Sequence, residues 1–174
     1  DTASANDEFY VIALRYFNPV GAHDSALIGE LPIGNPNNLA PLITQSAAGI
    51  RDKLYIYGND YNTDDGTAVR DYIHVCDIAD IHSKLLKKLS LINKSVILNC
   101  GYSKGLSVKQ VVNEFKKNIK KTIKIVFLNR RKGDMEKITA DNKKIKKFLS
   151  WRPKYNKLSL IVKSSLKWES KLNI

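Results

Sequence analysis

The stretch VRDYIHVCDIADIH, residues 69–82, packs two histidines, a cysteine, three aspartates and an arginine into fourteen positions. Further on, NRRKGD (129–134) sets two arginines before a Gly-Asp. Three chemistries use such residues: metal ligation, nucleophilic catalysis and anion recognition. A metal site would recruit His74, Cys76, Asp77, Asp80 and His82. The spacing resists it, because His74 and Cys76 share one strand face, whereas Asp77 opens a helix on which His82 lies away from Asp77 and Asp80. No H-x-x-x-H or C-x-x-C pair is present to close a metal cage. A Cys76 nucleophile with His74 or His82 as its base fares no better, since a two-residue strand spacing alone brings no base within reach. Structural cysteines are the plainer expectation.

Anion recognition fits more of the residues. Alternation in AVRDYIHV puts Val69, Asp71 and Ile73 on one strand face and Arg70, Tyr72 and His74 on the other. An arginine beside aromatics at a strand start can hold a phosphate, and Arg131 is a second candidate. Guanidinium forks bind phosphate oxygens through charge-assisted bonds of roughly 1.5–3 kcal/mol each. An aspartate such as Asp134 can accept from both hydroxyls of a ribose. Exposed arginines usually meet only water or a surface carboxylate, so it is the combination of phosphate binders with a diol acceptor that points to a nucleotide.

These residues need elements to position them. FYVIALRYFN (9–18) is a nearly continuous apolar run closed by Asn-Pro, as expected of a strand buried on both faces in a parallel sheet. VILNCG (96–101) reads the same way. In SVKQVVNEFKKNI, Val108, Val111, Val112, Phe115 and Ile119 recur at helical spacing, and Ser107 with Gln110 forms a capping-box pattern. DIADIHSKLLKKL (77–89) places Ile78, Ile81, Leu85 and Leu89 on one face, with Asp77 and Asp80 in the first turn, where the helix dipole favours carboxylates. KIVF reads as a short strand, and DNKKIKKFL and KLSLIVKSSLKWESKL as two terminal helices. Strands alternating with helices imply an α/β protein. The turn-rich loops at 18–38 and 57–67 are where a ligand is expected to touch the chain.

With 174 residues, 43% of them hydrophobic, the chain suffices for one globular domain or a substantial piece of a larger protein. No apolar run approaches the roughly 20 residues that span a bilayer, and the opening DTASANDEFY is acidic and polar where a secretory signal is basic and then apolar. Cys76 and Cys100 make no disulfide framework, which points to a reducing compartment and so to the cytoplasm. The net charge of +12 is lopsided: residues 1–87 hold 6 Lys and Arg against 12 Asp and Glu, residues 88–174 hold 23 against 5. The lysine clusters lack the aromatic interleaving of a single-strand-binding surface, so they read as solvated helix faces and no nucleic-acid partner is expected.

LRYFNPVGAH, GNPNNLAPLITQ, YGNDYNTDDGTAVRDYIHVCDIADIH and RRKGD together resemble the carboxy-terminal half of UDP-glucose 4-epimerase, also called UDP-galactose 4-epimerase, of the extended short-chain dehydrogenase/reductase superfamily. The resemblance covers essentially the whole chain and is most specific from Leu14 to His82. It implies a cytoplasmic, homodimeric enzyme of galactose metabolism, with an amino-terminal Rossmann part holding NAD and a carboxy-terminal part binding UDP-glucose or UDP-galactose. Such enzymes oxidise the hexose reversibly at C4. The family's G-x-x-G-x-x-G turn and catalytic Tyr-x-x-x-Lys pair do not occur in these residues. The expectation is therefore a UDP-sugar-binding half spanning 1–174, including late Rossmann strands near 9–18 and 96–100, with no catalytic residue and no metal of its own, inactive alone and marginally stable.

By matching positions, the resemblance assigns Tyr16 and Phe17 to the nicotinamide side and Asn18 to the UDP-sugar. Asn38 and Leu39 fall at the diphosphate and base, Tyr55, Ile56 and Tyr57 at the uracil, Arg70 and Arg131 at the phosphates, and Asp134 at the ribose. Ile138 stands where the family carries a tyrosine or a smaller residue that sets whether 2-acetamido sugars enter, and isoleucine leaves that choice open. Two alternatives remain: a non-catalytic UDP-sugar-binding protein, and another nucleotide-sugar epimerase or dehydratase of the same superfamily.

Overall fold

A computed structural model describes residues 9–172, so the acidic opening at 1–8 lies outside the described residues. The chain runs β1 (Ile12–Tyr16), β2 (Asn18–Val20), α1 (Leu39–Ala48), β3 (Leu54–Tyr57), β4 (Val69–His74) and α2 (Val75–Leu86). After a short 3₁₀ turn at Leu89–Leu91 come β5 (Val96–Cys100), β6 (Gly105–Ser107), α3 (Val108–Lys117), β7 (Ile125–Leu128), β8 (Lys137–Ile138), α4 (Lys143–Leu149) and α5 (Leu158–Leu172). This is the expected α/β alternation. β1 pairs with β5, β2 with β4, β3 with β7 and β8 with β4, all parallel, while β6 lies antiparallel on β4.

β4 is the centre of the arrangement, and its pleat explains why. Tyr72 points into one core, where Val20, Ile43, Ile56, Val112, Phe115 and Val162 meet beneath α1, α3 and α5. Its neighbour Ile73 points into the other, with Ile81, Leu85, Leu98, Ile145 and Trp151 beneath α2 and α4. A strand clamped between two cores must bury both faces. α3 forms as expected: Ser107 accepts from the Gln110 N–H, and the Gln110 side chain accepts from the Ser107 N–H, closing the capping box.

Two expectations are corrected. The run 9–18 is not one strand buried on both faces: β1 is half-buried to exposed, and the chain changes partner at Phe17, after which Asn18 pairs with Tyr72 of β4. Among the described residues β1 has β5 as its one strand partner, which leaves Tyr16 and Ile97 exposed. The second correction concerns α2, which begins at Val75 rather than Asp77 and ends at Leu86, so Leu89 is exposed instead of packed. His74 is its N-cap, its Nδ1 accepting from the Cys76 N–H at 3.1 Å. Gly21 serves the same corner: its φ of +92° and the His74 ring, which a Cβ would meet at 2.8 Å, both demand glycine. No helix among the described residues is long and apolar enough to cross a membrane.

Candidate functional site

A cleft of about 390 Å³ opens where β2, β3, β4, the start of α1 and the loop after β7 converge. Asn18, Asn38, Leu39, Tyr55, Ile56, Tyr57, Arg70, Arg131 and Asp134 all line it. Nine residues expected at a UDP-sugar thus meet in one place, from segments up to 116 positions apart. β3 contributes by alternation: Leu54 and Ile56 turn into the core, so Ile56 presents mainly backbone, while Tyr55 stays exposed.

The cleft is electropositive. Arg70 is anchored by its own strand, donating to the Val69 carbonyl at 2.9 Å, and it donates to Asp134 at 2.8 Å. Asp134 also pairs loosely with Arg131, 3.7 Å away, whose guanidinium lies over the Tyr57 ring at 4.5 Å. Two cations and one carboxylate leave a net positive charge. The start of α1 adds to it: its first turn holds no acidic residue, and Asn38 makes no side-chain cap bond. The Asn38 amide instead donates to Glu30 at 2.9 Å. The orphan N–H groups of Leu39 and Ala40 therefore stand at the cleft wall with the positive end of the helix dipole behind them.

Three expected residues lie elsewhere. Tyr16 and Phe17 stand at the carboxyl end of β1, where the Tyr16 hydroxyl meets His82 Nε2 at 2.8 Å. His82 donates from Nδ1 to the Ile78 carbonyl at 2.9 Å, so its Nε2 accepts from the phenol. Ile138, half-buried in β8, pairs in register with Arg70 and is not among the cleft's lining residues.

The opening stretch resolves into one cleft-lining arginine and a set of structural anchors. Asp71 is fully buried and accepts from the N–H groups of Tyr102 (2.9 Å), Ser103 (2.8 Å) and Ala140 (3.1 Å). Asp77, also buried, accepts from the Tyr102 hydroxyl and from the N–H groups of Lys154 and Tyr155. Burial drives the Tyr102 phenol strongly upward, with the Asp77 hydrogen bond adding to it. His74 stacks on Tyr155 at 4.5 Å and meets Ser164 at 3.0 Å; burial holds its pKa below the usual 6.5, with Asp77 and Asp24 opposing. Asp80 pairs with Lys84 along α2. Among the described residues, no group of three His, Cys, Asp or Glu side chains is placed to hold a metal. Cys100 is buried and its thiol is pushed up to about 11.

Sequence reasoning missed four contributors. Asp77 read as a possible metal ligand or a helix start and Asp71 only as a strand-face residue, because nothing local shows that distant backbone N–H groups converge on them. Arg130 stacks on Tyr61 at 4.3 Å and bonds Asp60, pinning the 57–67 loop, of which Tyr57 alone lines the cleft. Tyr72 lines the cleft as well; the strand alternation that put it beside Arg70 was the available signal.

The chain matches the model of the GDP-mannose 4,6 dehydratase family over residues 3–164. It is 48% identical over 158 residues to UDP-glucose 4-epimerase 1 of Oryza sativa subsp. japonica, covering 89% of this chain and 45% of that protein. With the UDP-glucose 4-epimerase of Erwinia amylovora it shares 51% identity over 152 residues, 87% of this chain and 45% of the relative. Among solved structures, the UDP-glucose 4-epimerase of Stenotrophomonas maltophila with bound NAD and formylated UDP-arabinopyranose superposes with a TM-score of 0.92 at 40% identity, covering 99% of this chain and 51% of that one. The Bifidobacterium longum UDP-glucose 4-epimerase in complex with NAD+ and UDP gives a TM-score of 0.91 at 39% identity, covering 98% and 50%. The chain spans about half the length of the curated relatives it matches.

Proposed function

The chain belongs to the GDP-mannose 4,6 dehydratase family, and from that premise we propose that it is the UDP-sugar-binding half of a UDP-glucose 4-epimerase that interconverts UDP-glucose and UDP-galactose. The observation that carries this reading is the convergence of Asn18, Asn38, Leu39, Tyr55, Ile56, Tyr57, Arg70, Arg131 and Asp134 on one cleft. In the proposal, Arg70 and Arg131 neutralise the diphosphate with the start of α1, Asp134 takes the ribose hydroxyls, and backbone groups of β3 meet the uracil. Asp134 has a second role before ligand arrives: it holds Arg70 at 2.8 Å and so keeps the fork preset.

NAD, when bound, would supply hydride acceptance at the hexose C4. Ligands of open α/β sheets lie beyond the carboxyl ends of the strands, and an exposed aromatic ring at the end of β1 fits a flat nicotinamide there. Tyr16 and Phe17 would form that wall, with His82 fixing the Tyr16 ring through the 2.8 Å bond. The proposal puts the glycine-rich turn and the proton-transferring Tyr-x-x-x-Lys outside these 174 residues, in a part whose strands would cover the exposed edge of β1. A cytoplasmic location and a homodimer complete the reading, the former supported by the unpaired Cys76 and Cys100. The test is the full-length protein: it should carry NAD and convert UDP-galactose to UDP-glucose. Binding of UDP without any interconversion would replace this reading by a non-catalytic UDP-sugar-binding protein, and absence of both would end it.

A further inference from the structure

Two cations of the cleft have no part in the assignments above. Arg51 and Lys53 line it at the entry to β3, the opposite end of that strand from Tyr57 and the Arg131 guanidinium stacked on it. Arg51 is already engaged, donating to Gln45 at 2.7 Å and to Asn35 at 3.0 Å. Lys53 is not. The Leu54 N–H bonds the Lys124 carbonyl at 2.8 Å as Leu54 pairs with Ile125, so Lys53 and Lys124 enter two parallel strands side by side. Lys121 stands nearby, its ammonium 2.5 Å from the position that a Cβ on Gly49 would take. None of these three ammonium groups has an ion pair or hydrogen bond among the described residues. Asp52 is the one acidic residue in 49–53 and 118–125, the two segments that carry them.

Like charges side by side oppose folding. The carboxyl end of α1, where the helix dipole favours a cation, accounts for Lys121. No carboxylate lies within ion-pair reach of Lys53 or Lys124 among the described residues. We infer that this cationic edge is a capture device: it draws the anionic nucleotide toward the cleft and is not itself part of the bound complex. The inference rests on the UDP-sugar reading above and adds how the ligand arrives. Direct contact with the diphosphate fits less well, because roughly 13 Å of extended strand separates Lys53 from Tyr57, beyond the reach of one lysine stem. Lysine suits capture at a distance. Its compact charge is felt through water to about one Debye length, roughly 8–10 Å at physiological salt, and its mobile stem imposes no geometry on the ligand.

The test is the full-length protein carrying Lys53→Gln, Lys121→Gln and Lys124→Gln together, with UDP binding followed by stopped-flow through protein emission. At about 20 mM salt, association should slow by about three- to tenfold while dissociation stays within about twofold of the parent. Near 0.5 M salt, roughly, the two proteins should associate equally fast, because screening removes the attraction. The charge-retaining variant with arginine at all three positions should keep the parent rate, and uridine, which carries no charge, should bind all three proteins alike. Removing crowded charges should leave the urea midpoint level or higher. Unchanged association of UDP at low salt overturns the inference. So does a deficit that persists at high salt or is carried by faster dissociation, since either would make these lysines contacts of the bound ligand. An equal loss for uridine overturns it too, by putting them on the base. A parent protein that binds no UDP would end the cleft reading itself, a result distinct from equal rates in parent and variant.

Discussion

Asp71→Asn probes how the site is held. The fully buried Asp71 carboxylate takes the Tyr102 N–H on Oδ1 and those of Ser103 and Ala140 on Oδ2. These bonds tie the turn after β5 and the segment after β8 to β4, the strand that carries Arg70 and Tyr72. Packing there is tight: a Cβ on Gly101 would meet Asp71 Oδ2 at 2.8 Å and the Ala140 Cβ at 2.6 Å, so the turn lies directly against the carboxylate. Asparagine has the same shape but one acceptor oxygen. With that oxygen toward Ser103 and Ala140, its NH2 faces the Tyr102 N–H, donor against donor. One charge-assisted bond of about 1.5–3 kcal/mol is lost, and the other two weaken by roughly 1 kcal/mol each on becoming neutral. Relief from burying a full charge returns on the order of 1–2 kcal/mol. The net expectation is a destabilisation of about 2–3 kcal/mol. Urea unfolding of the full-length protein followed by tryptophan emission should show it as a lower midpoint at unchanged slope. Trp151 is a suitable reporter, buried and stacked 6.3 Å from Tyr102. A loss below about 0.5 kcal/mol would refute the view that this carboxylate organises the β4 wall.

Arg70→Ala should weaken UDP binding by about tenfold to a hundredfold, and more than Arg131→Ala, because Arg70 is the better buried and pre-oriented fork (14% against 58% side-chain exposure); equal small losses in calorimetry would argue against a phosphate clamp. His74 is held neutral in the fold, its pKa lowered from 6.5 mainly by burial, with Asp77 and Asp24 the charged groups facing it and Tyr155 stacked on it. The unfolded chain then takes up a proton that the folded one refuses, so this contribution to stability is complete above about pH 6.5 and is lost as pH falls below that value. Urea midpoints measured from pH 8 to 5 should drop on the acid side, and His74→Gln should flatten that drop; an identical pH profile in the variant would exclude His74 as its source.

The comparison of sequence with structure turns on the range of the interactions involved. Local ones were legible in the chain. The capping box of Ser107 and Gln110, the spacing of Val111, Val112 and Phe115, and the alternation of β4 each depend on neighbours a few positions away, so they fix α3 and β4 wherever these lie. Part of the cleft was legible too, because RYFN, PNNL, VRDY and RRKGD resemble a known family closely enough to name nine of its lining residues before the cleft is seen.

Long-range convergence was decided by the tertiary structure alone. The residues of DIADIH offered a helix start and a metal ligand set that their spacing disfavoured, and only the arrival of the Lys154, Tyr155 and Tyr102 donors makes Asp77 an internal anchor. His74 becomes the N-cap because Gly21 and α5 close over its ring. FYVIALRYFN reads as one buried strand because apolar residues report a tendency to be covered and carry no record of what covers them, so its division between two sheets appears only in the fold. Tyr72 shows the limit most plainly: sequence can place a phenol beside an arginine, but whether its hydroxyl already has a partner depends on every chain segment that could have reached it.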